Sequence, residues 1–199
     1  FKVYTIQKAS EEEAMRPFLW RFWTKTPANG RSHVFDRSWY RRIFEDHMEG
    51  KKLERDNQKA FGEIVHFEQE LAVDGMVIIK FFLHISKKEQ KKRFKGLEDS
   101  KNTAWRVTEN DWRQNKEYQS YLEIFDDMLA KTDSDHAKWT IVEATNKEFA
   151  TAKILKTVTE RLEEALKEKE ARKEVVEKAK KPQSKKEMAV ENTELKELE

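Results

Sequence analysis

One apolar segment constrains the fold of this chain more than any other feature of its sequence. Residues 76–85 read Met-Val-Ile-Ile-Lys-Phe-Phe-Leu-His-Ile and follow a break at Asp74-Gly75. Their apolar residues are nearly continuous instead of alternating, and β-branched and aromatic residues favour a strand. A strand that is apolar on both sides is typical of a parallel sheet covered by helices on both faces. The segment therefore predicts an α/β fold with this strand in the core.

Strand-like and helix-like segments alternate along the rest of the chain. Further strands are predicted over residues 1–7, 32–36 and 139–144. Four helices are predicted from Ser10 to Trp23, from about Tyr40 to His47, from Phe61 to Val73 and from Lys87 to Lys95. A fifth begins at a cap, Asp111 or Asn110, and carries an apolar stripe between Tyr118 and Leu129. A sixth begins at about Lys147, and its apolar face consists of Phe149, Ala152, Leu155, Val158, Leu162 and Leu166. Strands separated by helices predict repeated β-α-β units and a parallel sheet.

The composition changes near Lys167. A chain of 199 residues suffices for one domain with a core and is short for two. From about Lys167 the sequence consists mainly of Lys, Glu and Ala. We therefore expect a domain over residues 1–166 and a charged helical extension or linker over residues 167–199, with disorder beyond Lys180.

The overall charge limits the classes of partner. The 40 Lys and Arg residues nearly balance the 38 Asp and Glu residues, and the net charge is +2. No global field therefore favours a nucleic acid or an anionic membrane, and any anion site must be local. The sequence has no cysteine and no apolar run near the roughly 20 residues of a membrane helix. We expect a soluble protein without disulfides or thiolate metal sites, located in the cytoplasm.

A carboxylate followed by arginines forms the first candidate site. Asp36 ends the predicted strand 32–36, and Arg37, Arg41 and Arg42 follow it. Open α/β sheets bind ligands at the carboxyl ends of their strands, where one carboxylate can hold a magnesium ion that bridges phosphate oxygens. Guanidinium groups bind phosphate oxygens in bidentate geometry. The cluster indicates a site for a polyanion with a metal. The alternative is that Asp36 only neutralises the neighbouring arginines.

The second candidate site is a run of cations after the strongest strand. Its members occupy the start of the next predicted helix: Lys87, Lys88, Lys91, Lys92 and Arg93. Lysines four residues apart share one helical face, and the amino end of a helix attracts anions. The run predicts an anion site, with an ordinary solvated helix face as the alternative.

Two further features complete the candidates. Lys80, inside the strong strand, either reaches the crevice at the strand end or is a core lysine that extends toward solvent. Trp105 and Arg106 could stack on or pair with a nucleotide, or Trp105 could anchor a loop. The five histidines show no metal-ligand spacing, and no phosphate loop of the GxxxxGK[ST] kind is present. The residues alone thus predict a parallel α/β domain with one anion-facing crevice.

Several segments together resemble the polyphosphate kinase 2 family. The amino-acid sequences of these segments are similar to those of the family's polyphosphate:AMP phosphotransferase branch, and the similarity covers about residues 1–166. The segments are Phe35–Tyr40, Phe67–Gly75, Lys80–Gln90, Arg93-Phe94, Trp105–Thr108, Asp111-Trp112 and Trp139–Ala144.

The resemblance implies a fold and a chemistry. Family members are three-layer α/β/α P-loop kinases with a parallel sheet and a helical lid, and they move a phosphoryl group between inorganic polyphosphate and a nucleotide with magnesium. By position, Asp36 matches the metal-binding aspartate, Arg37 and Arg42 match arginines that contact polyphosphate, and residues 87–110 match the lid. The reaction implied here is Mg-dependent transfer from polyphosphate to AMP, giving ADP. Trp105 and Arg106 are the expected nucleotide contacts.

The resemblance also sets expectations about completeness. The family's phosphate loop and first strand precede the position of Phe1, so we expect this fragment to be inactive alone. An alternative is a degenerate structural or dimerisation half of a tandem enzyme, and a third is a nucleoside-monophosphate kinase with a nucleoside triphosphate donor. The expected partners are polyphosphate, AMP or ADP, and either a second copy of the chain or a second half.

Overall fold

The computed structural model describes residues 1–43 and 54–180. These residues form four strands: β1 (Lys2–Thr5), β2 (His33–Asp36), β3 (Lys80–His84) and β4 (Trp139–Glu143). The helices are α1 (Glu11–Ala14), α2 (Trp20–Trp23), α3 (Glu54–Val73), α4 (Lys87–Glu98), α5 (Glu109–Lys116), α6 (Tyr118–Thr132) and α7 (Lys147–Lys180), with a 3₁₀ turn at Ala104–Arg106. The chain divides into two compact units, Phe1–Ile141 and Val142–Glu199.

The strands form two pairs, which differs from the single sheet that the alternation of elements predicts. β1 and β2 are parallel, with Val3 opposite Val34 and Thr5 opposite Asp36, and β3 pairs with β4. Within the described residues no ladder joins the pairs. A common sheet needs neighbouring strands about 4.8 Å apart, so each pair here is a separate small sheet.

Local signals in the sequence explain where several helices begin and end. Ser10 and Glu13 form a capping box at α1, but the predicted helix to Trp23 is interrupted because Pro17 lies between α1 and α2. The helix cap expected at Asp111 or Asn110 is Thr108, with Asp111 as its capping-box partner. That segment forms two helices, α5 and α6, instead of one.

The carboxyl end of α3 sets the entry to β3. Gly75 has a φ of 92°, and the Met76 and Gly75 amides donate to the Leu71 and Ala72 carbonyls. This is a Schellman ending, for which a glycine is favoured because its backbone is left-handed. β3 itself is shorter than the predicted 76–85 segment, and Leu83 within it is exposed.

The core of the first unit is aromatic and lies between α2, α3, α6 and the segment after β2. α3 packs on α6. The Trp39 ring makes an edge contact with Phe67 at 5.0 Å, and Tyr40 makes one with Trp139 at 4.8 Å. The buried apolar residues of this core are Ile6, Phe22, Trp39, Tyr40, Ile43, Phe61, Ile64, Phe67, Leu71, Ile78, Met128 and Ala137.

α7 belongs to the second unit and continues past Lys167 without a break. Most of its predicted apolar face, including Phe149, Leu155 and Leu166, is exposed in this chain, whereas Ala150 is buried. In the predicted helix from Tyr40 to His47, Tyr40 lies in a turn and residues 41–43 are helical. The rest of that prediction lies outside the described residues, as does the segment beyond Lys180. The described helices include none that is both long and apolar enough to cross a membrane.

Candidate functional site

The first site lies at the carboxyl end of β2. The Asp36 carbonyl accepts a hydrogen bond from the Ile6 amide at 3.0 Å, which fixes the last residue of the strand. Arg37 has a φ of 62° and is the only residue other than glycine with a positive φ in the described chain. Left-handed backbone is costly for such a residue and persists where its surroundings hold it. The side chains of Asp36 and Arg37 are both exposed.

The three arginines that follow Asp36 have different surroundings. Arg37 projects from the turn, whereas Arg41 and Arg42 are half-buried. The Arg41 Nη1 group donates to the Ile6 carbonyl at 2.9 Å, and the Arg42 guanidinium lies 4.5 Å from the Phe18 ring centre. Arg41 and Arg42 thus stabilise the turn by contacts within the protein. Their predicted contact with phosphate stays a prediction.

The acidic member of this site has no basic partner among the residues described. Within residues 1–43 and 54–180, Asp36 forms no ion pair with a lysine, arginine or histidine. A direct ion pair between Asp36 and the adjacent arginines is thus not observed among these residues, and the role of Asp36 stays a prediction. Across the same ranges, no group of three or more His, Cys, Asp or Glu side chains could hold a metal ion by itself.

The second site is built on α4. Ser86 caps the helix by accepting from the Glu89 amide at 3.2 Å, as expected for a serine at this position. Three of the predicted lysines share an open depression of about 500 Å³ with Lys95, which the sequence prediction omitted. The residues that line this depression are Lys88, Lys91, Lys92, Lys95, Gly96 and Asp99. The structure thus brings four ammonium groups to one side of an exposed helix.

Two members of the predicted run of cations, Lys87 and Arg93, have partners within the protein. The Lys87 ammonium donates to the Lys116 carbonyl at 3.1 Å, which ties the start of α4 to the end of α5. Arg93 pairs with Glu89 one turn earlier, at 2.9 Å. The Arg93 contact is an exposed i, i+4 pair, which is weak and opens readily, and the Lys87 hydrogen bond is exposed to solvent as well. Neither contact excludes the predicted role in phosphate binding.

The predicted nucleotide contacts lie in the 3₁₀ turn after α4. The Trp105 side chain is 77% exposed, and its indole N–H donates to the Asn102 carbonyl at 2.9 Å. Arg106 is also exposed. Trp105 contributes one local hydrogen bond and leaves most of its ring uncovered, so its surface is accessible to a planar ligand.

Lys80 lies in the core. It is only 6% exposed, and its ammonium donates to the Glu68 carboxylate at 2.8 Å, the Tyr40 hydroxyl at 3.0 Å and the Thr132 carbonyl at 2.7 Å. Three acceptors match the three N–H donors of a protonated lysine. Burial lowers the pKa of Lys80, and the Glu68 carboxylate opposes that shift. A phosphate contact through Lys80 would require this network to open.

Glu68 is the residue that sequence reasoning missed. It is fully buried and accepts hydrogen bonds on one oxygen from the Trp39 indole at 2.9 Å and from the Tyr40 hydroxyl at 2.8 Å. Burial and this carboxylate raise the pKa of Tyr40 far above its ordinary value. A signal was present, because Glu68 lies four residues after Ile64 and three before Leu71, on the buried face of α3.

The fold and these side chains define an α/β protein with an exposed strand-end carboxylate and a cationic helix. Residues 1–170 match the family model described as Polyphosphate kinase 2. The chain therefore belongs to the polyphosphate kinase 2 family, and the resemblance inferred from its segments is confirmed.

The relatives include proteins named polyphosphate:AMP phosphotransferase. The protein of that name from Pseudomonas aeruginosa PAO1 is 38% identical over 167 residues, covering 84% of this chain and 34% of that protein. Its counterpart from Pseudomonas syringae pv. tomato is 38% identical over 165 residues, covering 83% of this chain and 33% of that protein. The chain thus spans about one third of the length of these relatives.

Solved structures agree with this assignment. A crystal structure from Pseudomonas aeruginosa PA01, assigned provisionally to polyphosphate kinase 2, aligns with a TM-score of 0.79 at 38% identity over 83% of this chain and 36% of its own. Polyphosphate kinase 2 from Arthrobacter aurescens TC1 aligns with a TM-score of 0.73 at 30% identity over 82% of this chain and 56% of its own. The α/β arrangement is therefore that of polyphosphate kinase 2 proteins.

Proposed function

We propose that this chain is part of an enzyme that transfers a phosphoryl group from inorganic polyphosphate to AMP and forms ADP. The observation that carries the proposal is the exposed Asp36–Arg37 pair at the carboxyl end of β2 in a chain of this family. The names of the relatives supply the substrate class. Within the proposal, residues 1–166 form a P-loop kinase-like domain in three layers, with residues 87–110 as its lid and residues 167–199 as a charged extension.

Asp36 is the proposed ligand for magnesium. Magnesium commonly uses one or two carboxylates together with phosphate oxygens of the substrate, so a single exposed carboxylate fits it even without a cluster of protein ligands. Bound magnesium supplies charge neutralisation on the oxygens of the transferred group. Arg37, beside Asp36, would bind phosphate oxygens through its guanidinium fork.

The lysines of α4 are proposed to hold the polyphosphate. Lys88, Lys91, Lys92 and Lys95 line one open depression, and a chain of phosphates presents negative charge at regular intervals to such a row. Phosphoryl transfer depends mainly on positioning and on cations around the transferred group. The exposed ring of Trp105 is the proposed stacking surface for the base of the nucleotide.

The test is ADP formation from AMP and polyphosphate with magnesium, measured on the protein at its full natural length. We expect Asp36→Asn to lower kcat by about 100-fold or more, because a group that acts on the developing charge is removed. Asp126→Asn, at an exposed position on α6, is the matched control and leaves kcat unchanged.

Two alternatives make different predictions in the same assay. A structural half of a larger enzyme predicts that Asp36→Asn leaves turnover unchanged, which would reject Asp36 as the metal ligand. A nucleoside triphosphate donor predicts ADP formation with ATP that polyphosphate cannot replace. Competition between the two donors separates that outcome from polyphosphate-dependent transfer.

A further inference from the structure

The buried network around Glu68 connects elements that are far apart in the sequence. Glu68 on α3 binds Trp39 and Tyr40, which follow the Asp36–Arg37 turn by a few residues. The same carboxylate accepts a hydrogen bond from Lys80, which is the first residue of β3. This strand leads to Ser86 and α4. One carboxylate therefore contacts the chain just after the first candidate site and at the start of the strand before the second.

Stability alone does not explain this arrangement. Removing two charges from water is costly, and replacing a buried ion pair by apolar residues of similar volume is often neutral or stabilising. The surrounding core is otherwise aromatic and aliphatic. What apolar residues could not supply is a set of directed hydrogen bonds to the Trp39 indole and the Tyr40 hydroxyl.

The Asp36–Ser38 turn needs such support because Arg37 has left-handed backbone. On one side, the Ile6 amide binds the Asp36 carbonyl at 3.0 Å. On the other side, the Arg41 amide binds the Ser38 carbonyl at 3.2 Å, and Glu68 holds Trp39 and Tyr40. The strained residue thus lies between two fixed segments, and Glu68 fixes the second of them.

We propose that Glu68 is a positioning residue that acts through Trp39 and Tyr40. Its carboxylate holds the Asp36–Ser38 turn in the conformation that presents Asp36 and Arg37, and through Lys80 it keeps that turn in a fixed relation to the start of β3. This inference rests on the proposed function only in assigning the turn to phosphoryl transfer. The mechanical coupling between Glu68 and the turn is independent of that function.

The experiment compares Tyr40→Phe and Glu68→Gln with the unmodified protein at full natural length. Tyr40→Phe removes only the hydroxyl that donates to Glu68 and accepts from Lys80, so the ring still fills the core. We expect Tyr40→Phe to lower kcat about tenfold while KM for polyphosphate stays within about twofold, because the lid lysines are untouched. Glu68→Gln is expected to lower kcat further.

A second readout does not depend on activity. Hydrogen exchange at the Ile6 and Arg41 amides reports the turn, because their acceptors are the Asp36 and Ser38 carbonyls. We expect exchange at both amides to become about tenfold faster in Tyr40→Phe. Ile64→Val is the matched control, since it removes one methylene one turn away from Glu68 on the buried face of α3. It should lower the melting temperature without changing kcat or exchange at these amides.

The outcomes are separable. The inference is overturned if Tyr40→Phe lowers the melting temperature but changes neither kcat nor exchange at the two amides. It is also overturned if Ile64→Val reproduces both changes. If the unmodified protein forms no ADP from AMP and polyphosphate, the proposed function fails, and exchange at Ile6 and Arg41 then decides the inference alone.

Discussion

Lys80 and the lysines of α4 show how differently one residue type is used within the same unit. Lys80 is buried and directs all three of its N–H donors to protein acceptors. Lys88, Lys91 and Lys92 are exposed and line one depression. Both sets were predicted as phosphate contacts, Lys80 from its place inside the strong strand, with a core lysine as the alternative, and the others from the helix that follows it. The difference teaches that a place in or near a core strand does not decide the surroundings of a lysine: Lys80 is bonded within the core, whereas the lysines of α4 are open to water.

The largest expected effect is a loss of stability when the ammonium group of the buried Lys80 is removed. Lys80→Met leaves the Glu68 carboxylate buried without its cation, and loss of one partner from such a pair costs about 3–5 kcal/mol. We expect a fall of that size in the free energy of unfolding by urea, measured at full natural length. Adding Glu68→Gln should restore part of the loss, because the uncompensated charge is gone. Equal stability of the single and double variants would contradict the proposed coupling.

The sequence predicted the existence of most elements because their signals are local. The start of the helix at Lys87, the glycine ending of α3 and the strand before Asp36 are all set by a few neighbouring residues. The pairing of strands was not predictable in this way. Hydrogen bonding between β3 and β4 joins residues more than fifty positions apart, and periodicity carries no information on which strands meet.

The residues of the candidate site also fall into those that local sequence identifies and those that depend on contacts between distant elements. Asp36 and the exposed lysines could be identified from residue type and position in the chain. The pairing of Lys80 with Glu68 could not, because helical spacing shows only that Glu68 shares a face with apolar residues. Its partner comes from a different element, twelve residues later. The left-handed backbone at Arg37 was equally hidden, since arginine is not a residue that signals a positive φ.

A smaller effect, on KM for polyphosphate, is expected when one of the exposed lysines of α4 is removed. Lys91→Ala and Lys92→Ala each remove one exposed cation from the depression on α4. If polyphosphate binds there, each change should raise KM for polyphosphate about fivefold, which corresponds to about 1 kcal/mol. The effect should shrink as salt is added, because exposed charges are screened. Steady-state kinetics at two ionic strengths checks both statements.

The control for this series is Lys169→Ala, which removes an exposed lysine from α7. It keeps the same change in net charge but lies on a different helix. An equal rise in KM in this variant would show that overall charge, and not the depression on α4, governs the affinity for polyphosphate. A salt-independent effect at Lys91 would also count against the assignment.

The smallest effect is expected at an ordinary surface ion pair in the second unit. Its loss of stability serves as the reference for an exposed lysine, against which the loss at the buried Lys80 is compared. The Lys153 ammonium lies 2.7 Å from the Glu143 carboxylate, and this hydrogen bond lowers the pKa of Glu143.

Because the folded-state pKa of Glu143 is below the ordinary value of about 4.3, the stabilising contribution of the ion pair is present above that value and is lost as the pH falls through the folded-state pKa. Lys153→Met should therefore lower the melting temperature slightly at pH 7 and by less near pH 3. The same small difference at both pH values would show that packing of the Lys153 side chain, and not its charge, is responsible. A loss as large as that of Lys80→Met would remove the distinction between buried and exposed lysines on which the comparison depends.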